Sequence, residues 1–260
     1  MKNINLKKLS NGGLILIFIY GLSIAKDFGI SWDEAHHRDS GKRIAAYLIN
    51  FFGLEINKPI PQGLKDFDYM QKKYGPMFDT ISAVVEEALQ LEDMKNIFIM
   101  RHYLNFIFYF AGYLGYFYFL KLIFPKNNYA LILSFFYLFH PRLFGQGFFN
   151  PKDSVLQAYV SISLIPIVRS FLYFKTKDLV LSGVALGIAI STKVVCVYLP
   201  VLFSFFYLLI SYLEKTNVKT ILKNLSLFYV LLVFFIFIFW PPWTNPLKSV
   251  IDMFIVLKQY

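Results

Sequence analysis

Long apolar runs separated by short polar segments dominate the chain, and seven of them approach the length of a membrane-spanning helix. A helix needs roughly 20 apolar residues to cross a bilayer. The runs cover about residues 11–30, 97–124, 129–147, 153–174, 178–193, 196–213 and 225–240. The pattern predicts an all-α, polytopic transmembrane helix bundle of about seven spans.

Lysines flank these runs on one predicted side. Lys2, Lys7 and Lys8 precede the first run, which places the amino terminus in the cytoplasm by the positive-inside rule. The loops that alternation then puts inside carry further lysines: Lys121, Lys126, Lys175, Lys177, Lys215, Lys219 and Lys223. An alternative is that the first run is a cleaved secretory signal, which would leave the rest of the topology unchanged.

The stretch from Leu179 to Leu213 is long enough for one helix, but a single helix would move the last lysine-rich loop outside. Two spans with a turn near Lys193 to Pro200 fit the lysine pattern better. Gly183 and Gly187 form a small-xxx-small pattern, which predicts close packing against another helix.

The segment 31–96 is predicted to be the first extracytoplasmic loop of a single transmembrane domain, 1–260. Two amphipathic stretches within it predict helices lying along the membrane surface. Their apolar positions are Ile44, Leu48, Phe51 and Phe52 in the first, and Met77, Ile81, Val84, Val85 and Leu89 in the second. The breakers between them are Gly53, Pro59, Pro61, Gly63, Gly75 and Pro76.

Composition agrees with a membrane protein, since 57% of residues are hydrophobic and only 16% are charged. The net charge of +10 fits cytoplasmic lysines facing anionic lipid, and no arginine-rich patch suggests nucleic acid. Cys196 is the only cysteine, which excludes an intrachain disulfide and a cysteine-built metal site.

Charged residues gather where the spans meet the predicted outer face. Asp33 and Glu34 follow the first run directly. Arg142, Lys152 and Lys193 lie at outer ends that the sidedness bias should keep free of cations, so they need carboxylate or anionic partners.

Asp153 and Arg101 belong to the same predicted face. Asp153 can pair with Lys152 or cap the fourth span, and Arg101 can extend to the membrane interface instead of binding a ligand. Glu34 and Asp33 can likewise stabilise the start of the surface helix near Ala35.

Together these features resemble the GT-C membrane glycosyltransferases, in particular the protein O-mannosyltransferase and aminoarabinose transferase group (glycosyltransferase family 39-like). The residues that carry the likeness are Asp33-Glu34, Arg101, Pro141-Arg142, the run Phe148 to Asp153, and the turn Trp240 to Pro246. The likeness covers essentially the whole chain. Members of the group usually have more than seven spans, so the resemblance implies that this chain is the N-terminal part of a longer enzyme or a shortened form.

The resemblance implies inverting transfer of a sugar from a polyprenyl-phosphate carrier to a glycan, lipid or protein acceptor. The reaction would occur on the non-cytoplasmic face of a bacterial inner membrane. By this likeness Asp33 activates the acceptor, Glu34 and Asp153 are further catalytic carboxylates, and Arg101 meets the donor phosphate. Since a leaving phosphate needs cations, Arg142, Lys152 and Lys193 are additional candidates for binding it.

No cofactor is predicted with certainty. Oxygen ligands from Asp33, Glu34 and Asp153, with His36 or His37 nearby, could build a divalent-metal site, although solvated histidines are the simpler interpretation. Two other classes of protein stay open. A small transporter would show inverted repeats and charges at mid-span, and a non-catalytic assembly or lipid-binding protein would not need Asp33 and Asp153.

Overall fold

A computed structural model describes residues 6–51, 75–125 and 129–240, and these ranges form ten α-helices without a strand. The helices are α1 (Leu6–Ile24), α2 (Glu34–Phe51), α3 (Met77–Ala88), α4 (Met94–Ile123), α5 (Tyr129–Leu138), α6 (Pro141–Phe149), α7 (Asp153–Tyr173), α8 (Thr176–Thr192), α9 (Tyr198–Leu213) and α10 (Val218–Phe239). The predicted all-α membrane bundle is confirmed.

Four helical segments in the described ranges are long and apolar enough to cross a membrane: α4, α7, α10, and the segment Val194–Leu213, which joins α9 to the 3-10 turn before it. A helix also occupies each of the other predicted runs, but the run at 129–147 is divided into α5 and α6. With 10 residues, α5 is about 15 Å long, half the thickness of the hydrocarbon layer. The prediction of one continuous third span was therefore wrong.

The break between α5 and α6 has a local cause. Pro141 has no N–H to continue the helix and occupies the first turn of α6, where proline is tolerated. His140 caps α6, because its Nδ1 accepts a hydrogen bond from the backbone N–H of Leu143 at 3.4 Å.

Two predicted details of the second half are confirmed. α8 ends at Thr192, and a 3-10 turn, Val194–Val197, leads into α9. Gly183 and Gly187 lie so close to the α10 backbone at Phe228 and Leu232 that a methyl group would collide with it. The small-residue pattern thus permits α8 and α10 to pack closely.

The two amphipathic stretches form α2 and α3, which pack on each other. Glu86 of α3 accepts two hydrogen bonds from the Arg38 guanidinium, at 2.8 and 2.6 Å, and lies 2.7 Å from Lys42 Nζ. Gly41 of α2 faces the backbone of Asp79 in α3 with no room for a Cβ atom. Position 52, the breakers at 53–63, the turn at 241–246 and the tail at 249–260 lie outside the described residues.

One end of the bundle collects the segments predicted to carry chemistry. The loop after α1 reaches the end of α6, where Ser31 Oγ lies 3.4 Å from the Phe149 carbonyl and shares its one O–H between this oxygen and Asp33 Oδ1. The residue after α8, Lys193, contacts Asp153 at the start of α7 at 2.7 Å. The start of α7 therefore meets the C-terminal end of α8, and the loop before α2 meets the end of α6.

Candidate active site

Asp33 and Glu34 are adjacent, but their side chains lie in different environments. The Asp33 side chain is 50% exposed, and its Oδ1 accepts a hydrogen bond from Ser31 Oγ at 3.0 Å. The Glu34 side chain is 2% exposed, accepts from the backbone N–H of Ser31 at 2.7 Å, and lies 3.3 Å from His102 Nε2. A second bond, from the backbone N–H of Glu34 to the Ser31 carbonyl at 3.2 Å, closes the turn before α2. Glu34 thus fixes the turn, and Asp33 is the accessible carboxylate.

Asp79 forms the buried centre of the cluster. Its Oδ1 lies 2.6 Å from Arg101 Nη2, its Oδ2 lies 2.6 Å from Lys152 Nζ, and it is fully buried. Burial alone would raise the pKa of Asp79, but the charges of Lys152 and Arg101, with His37 beside them, outweigh burial and hold that pKa below its ordinary value. An ionised carboxylate therefore lies between two cations.

Arg101, predicted to meet the donor phosphate, lies beneath the site surface. Its side chain is 1% exposed and its hydrogen-bonded nitrogen is directed at Asp79. The Nε and Nη1 atoms are buried and have no hydrogen-bond partner among the described residues. In this arrangement Arg101 contributes positive charge from below and presents no donor to the surface.

Lys152 and Asp153 do not pair with each other, so that predicted alternative was wrong. Lys152 binds Asp79 and also donates to the Gly75 carbonyl at 2.8 Å. Asp153 binds Lys193 at 2.7 Å, and their side chains are 49% and 32% exposed, respectively. The turn is fixed by Asn150, whose Oδ1 accepts from the backbone N–H of Asp153 at 2.8 Å.

Arg142 is exposed in the first turn of α6 and makes no ion pair with any residue in the described ranges. The other three predicted phosphate-binding cations each contact a carboxylate. Arg142 is thus the exposed cation of this set, and its charge also helps to lower the pKa of Asp153.

His37 lies between two carboxylates. Its Nε2 is 3.3 Å from Asp33 Oδ2 and its Nδ1 is 3.7 Å from Asp79 Oδ2. Burial, together with the Lys152 charge, lowers the pKa of His37 even though Asp79 and Asp33 act to raise it. The expectation of a solvated histidine holds for exposed His36 and was wrong for His37, which is buried.

Sequence reasoning missed Asp79 altogether. The available signal was a single acidic residue at the start of an apolar helical stretch, where an unpaired carboxylate would be costly to bury. The four-residue spacing from Asp33 to His37 also places both side chains on one face of a helix, which was a second signal.

No group of three metal-ligating side chains occurs in the part of the chain that the structure describes. Asp33, Glu34 and Asp153, the predicted oxygen ligands, do not form such a group. Their carboxylates instead contact Ser31, His37, His102, Asn150 and Lys193.

Comparison with known families gives one result that covers the whole site. A family model described as dolichyl-phosphate-mannose-protein mannosyltransferase matches residues 14–249. No curated protein and no solved structure gives a significant match. The matched range includes every residue of the cluster around Asp33 and Asp79.

Proposed function

Because the chain belongs to the dolichyl-phosphate-mannose-protein mannosyltransferase family, we propose that it transfers a sugar from a polyprenyl-phosphate carrier to an acceptor hydroxyl with inversion. Family membership makes it a membrane glycosyltransferase that uses a lipid-linked donor. The reaction takes place on the non-cytoplasmic face of a bacterial inner membrane, with the amino terminus in the cytoplasm. A glycan, a lipid or a protein can supply the hydroxyl.

Asp33 is the proposed base. As the acceptor oxygen attacks the anomeric carbon from the side opposite the phosphate, Asp33 takes the hydroxyl proton, and the bond from carbon to phosphate oxygen breaks. The phosphate leaves with the electron pair, so no acid is needed to protonate it. The exposure of Asp33 and its hydrogen bond from Ser31 support this role.

Arg142 and Lys193 are the proposed contacts of the donor phosphate. Arg142 has no ion-pair partner in the described ranges, and the Lys193–Asp153 pair is half exposed, so both cations can approach an anion. Positive charge fixed where a leaving phosphate gains charge stabilises the transition state. Arg101 and Lys152 support this field from beneath, and Asp153 holds Lys193 in place.

The observation that carries the proposal is the contact between the Asp33 loop and the α6–α7 turn, through Ser31 Oγ and the Phe149 carbonyl. It brings an accessible carboxylate next to the segment that bears Lys152 and Asp153. A base beside a phosphate-binding turn is the minimum that this transfer requires.

The test uses membranes that contain the full-length protein and a panel of radiolabelled polyprenyl-phosphate sugars. We expect wild type to remove sugar from one carrier and Asp33→Asn, at equal expression, to lose this activity. Asp39→Asn, which changes an exposed carboxylate in α2, is the matched control and should behave as wild type. Equal transfer by Asp33→Asn would remove Asp33 from the mechanism, and no transfer from any donor would favour a binding protein.

A further inference from the structure

Three neighbouring side chains connect a buried carboxylate to the proposed base. Asp33 precedes α2, His37 lies one turn into α2, and Asp79 lies in the first turn of α3. The imidazole spans the gap, with Nε2 at 3.3 Å from Asp33 and Nδ1 at 3.7 Å from Asp79. The imidazole thus lies between the accessible carboxylate and the buried one.

The surroundings of His37 favour the uncharged form of its ring. The charged groups that act on it include Asp33 from its own helix start, Asp79 from α3, Arg101 from α4 and Lys152 from the turn before α7. Burial and the two cations lower the pKa of the ring more than the two carboxylates raise it. A neutral imidazole has one N–H to donate.

The distances indicate where that N–H points. Each oxygen of Asp79 already has a cation at 2.6 Å, whereas Nδ1 of His37 lies 3.7 Å away, beyond hydrogen-bonding distance. Oδ2 of Asp33 lies closer, at 3.3 Å from Nε2. Of the two carboxylates, an ionised Asp33 is therefore the better acceptor, and a ring proton on Nε2 would meet its Oδ2.

We propose that His37 is a positioning residue for the transfer reaction: its Nε2–H holds Oδ2 of Asp33, and burial of the ring between Asp33 and the cluster of Asp79, Arg101 and Lys152 keeps the imidazole in place. This inference rests on the proposed function. Ser31 holds Oδ1 at 3.0 Å, so both oxygens of Asp33 are fixed on a loop that is otherwise open to solvent. The fixed carboxylate keeps a free lone pair aimed at the acceptor hydroxyl.

The kinetic test compares His37→Ala, His37→Gln and His36→Ala in the full-length protein with the donor found in the panel. We expect His37→Ala to lower kcat roughly 10- to 100-fold, below the full contribution of a general base, with donor KM within about twofold of wild type. Added imidazole should restore part of kcat. His37→Gln, which keeps an N–H donor, should lower kcat less than His37→Ala does. His36→Ala, which changes the exposed neighbour of His37, should match wild type.

An unchanged kcat in His37→Ala alongside an active wild type overturns the positioning role and leaves the proposed function standing. A change in KM alone also overturns it. Absence of transfer by wild type from every donor overturns both proposals.

A second measurement needs no substrate. Titration of the ¹⁵N-labelled histidine rings by NMR, in the full-length protein in lipid nanodiscs, reports His37, whose signal is assigned by its loss in His37→Gln. Asp33→Asn removes a negative neighbour that raises the pKa of His37, so we expect its titration midpoint to fall and the Nε2 shift to change. A ring that does not respond to Asp33→Asn overturns the proposed contact.

Discussion

Lys152 and Asp153 are neighbours in the chain, yet each forms its ion pair with a different part of the fold. Lys152 reaches down to Asp79, buried in α3, and Asp153 reaches across to Lys193 at the end of α8. These two residues thus connect α3 to the start of α7 through Lys152, and α7 to the end of α8 through Asp153. The buried pair and the half-exposed pair should respond differently to substitution.

Replacing Lys152 with Met should destabilise the protein by about 3–5 kcal/mol, because Asp79 would lose one of its two cations in a site that water does not reach. Replacing Lys193 with Met should cost about 0.2–1 kcal/mol, because its pair with Asp153 is half exposed. Thermal unfolding in detergent measures both. Lys193→Met should still lower sugar transfer, and equal loss of stability in the two variants would contradict the buried role of Lys152.

Replacing Arg142 with Gln should weaken donor binding without loss of stability, since the guanidinium is exposed and makes no ion pair within the described part of the chain. We expect donor KM to rise several-fold and the unfolding free energy to stay within about 0.5 kcal/mol of wild type. Lys177→Gln is the control for a change in net charge. Lys177 is exposed at the start of α8, at the end of that helix opposite Lys193. A rise in donor KM of similar size in both variants would argue against a local contact.

Replacing Gly41 with Ala should separate α2 from α3, because the added methyl group would overlap the backbone of Asp79. The loss of stability should reach about 1–3 kcal/mol, as for other overpacked sites. Gly145→Ala is the matched control, since a Cβ at Gly145 in α6 meets no atom within 4 Å. That variant should be neutral or slightly stabilising, by about 0.5–1 kcal/mol. Similar melting temperatures for both variants would contradict the close approach.

Stability should fall in two stages as the pH is lowered. His37 has a pKa below its ordinary 6.5, so the unfolded chain takes up that proton first and stability begins to fall below about pH 6.5. Burial raises the pKa of Glu86, but Arg38 and Lys42 lower it more, so it lies below the ordinary 4.5. The pKa of Asp79 also lies below its ordinary 3.8, because the charges of Lys152 and Arg101 outweigh its burial. Stability from both carboxylates is present above those ordinary values and is lost as the pH falls through their lower folded values.

Thermal unfolding from about pH 8 to about pH 3 would separate these stages. His37→Gln should remove the upper stage and keep the lower one, and Glu86→Gln should reduce only the lower stage. An upper stage that persists in His37→Gln would show that another group is responsible.

The helices can be predicted from the sequence because each apolar run must either be buried in the protein or cross the membrane. The runs end at charged residues or at turns. The turn after Thr192 followed from the same pattern with the lysine-rich loops. The break at His140-Pro141 was not predicted, although the sequence contains Pro141, because apolar residues continue on both sides of it. In that case the loss of one backbone N–H outweighed the continuity of apolar residues.

The site was predicted in part. The sequence indicated which cations and carboxylates lie at one end, because helix order and alternation place them there. Their partners depend on contacts between distant residues, and neither spacing nor composition links Asp79 to Lys152. The environment of His37 likewise depends on how α3 packs on α2, which its own neighbours in the chain do not reveal.

The Tyr109 hydroxyl of α4 donates a hydrogen bond shared between the carbonyls of Tyr137 and Leu138, at 3.1 and 2.8 Å, where α5 ends. Carbonyl groups freed by a broken helix inside a bilayer need a partner within the protein. α4 is synthesised before α5, so this partner is already present when the broken segment enters the membrane. The order of the helices along the chain thus gives the interrupted segment a route to membrane insertion that it would lack if it were made first.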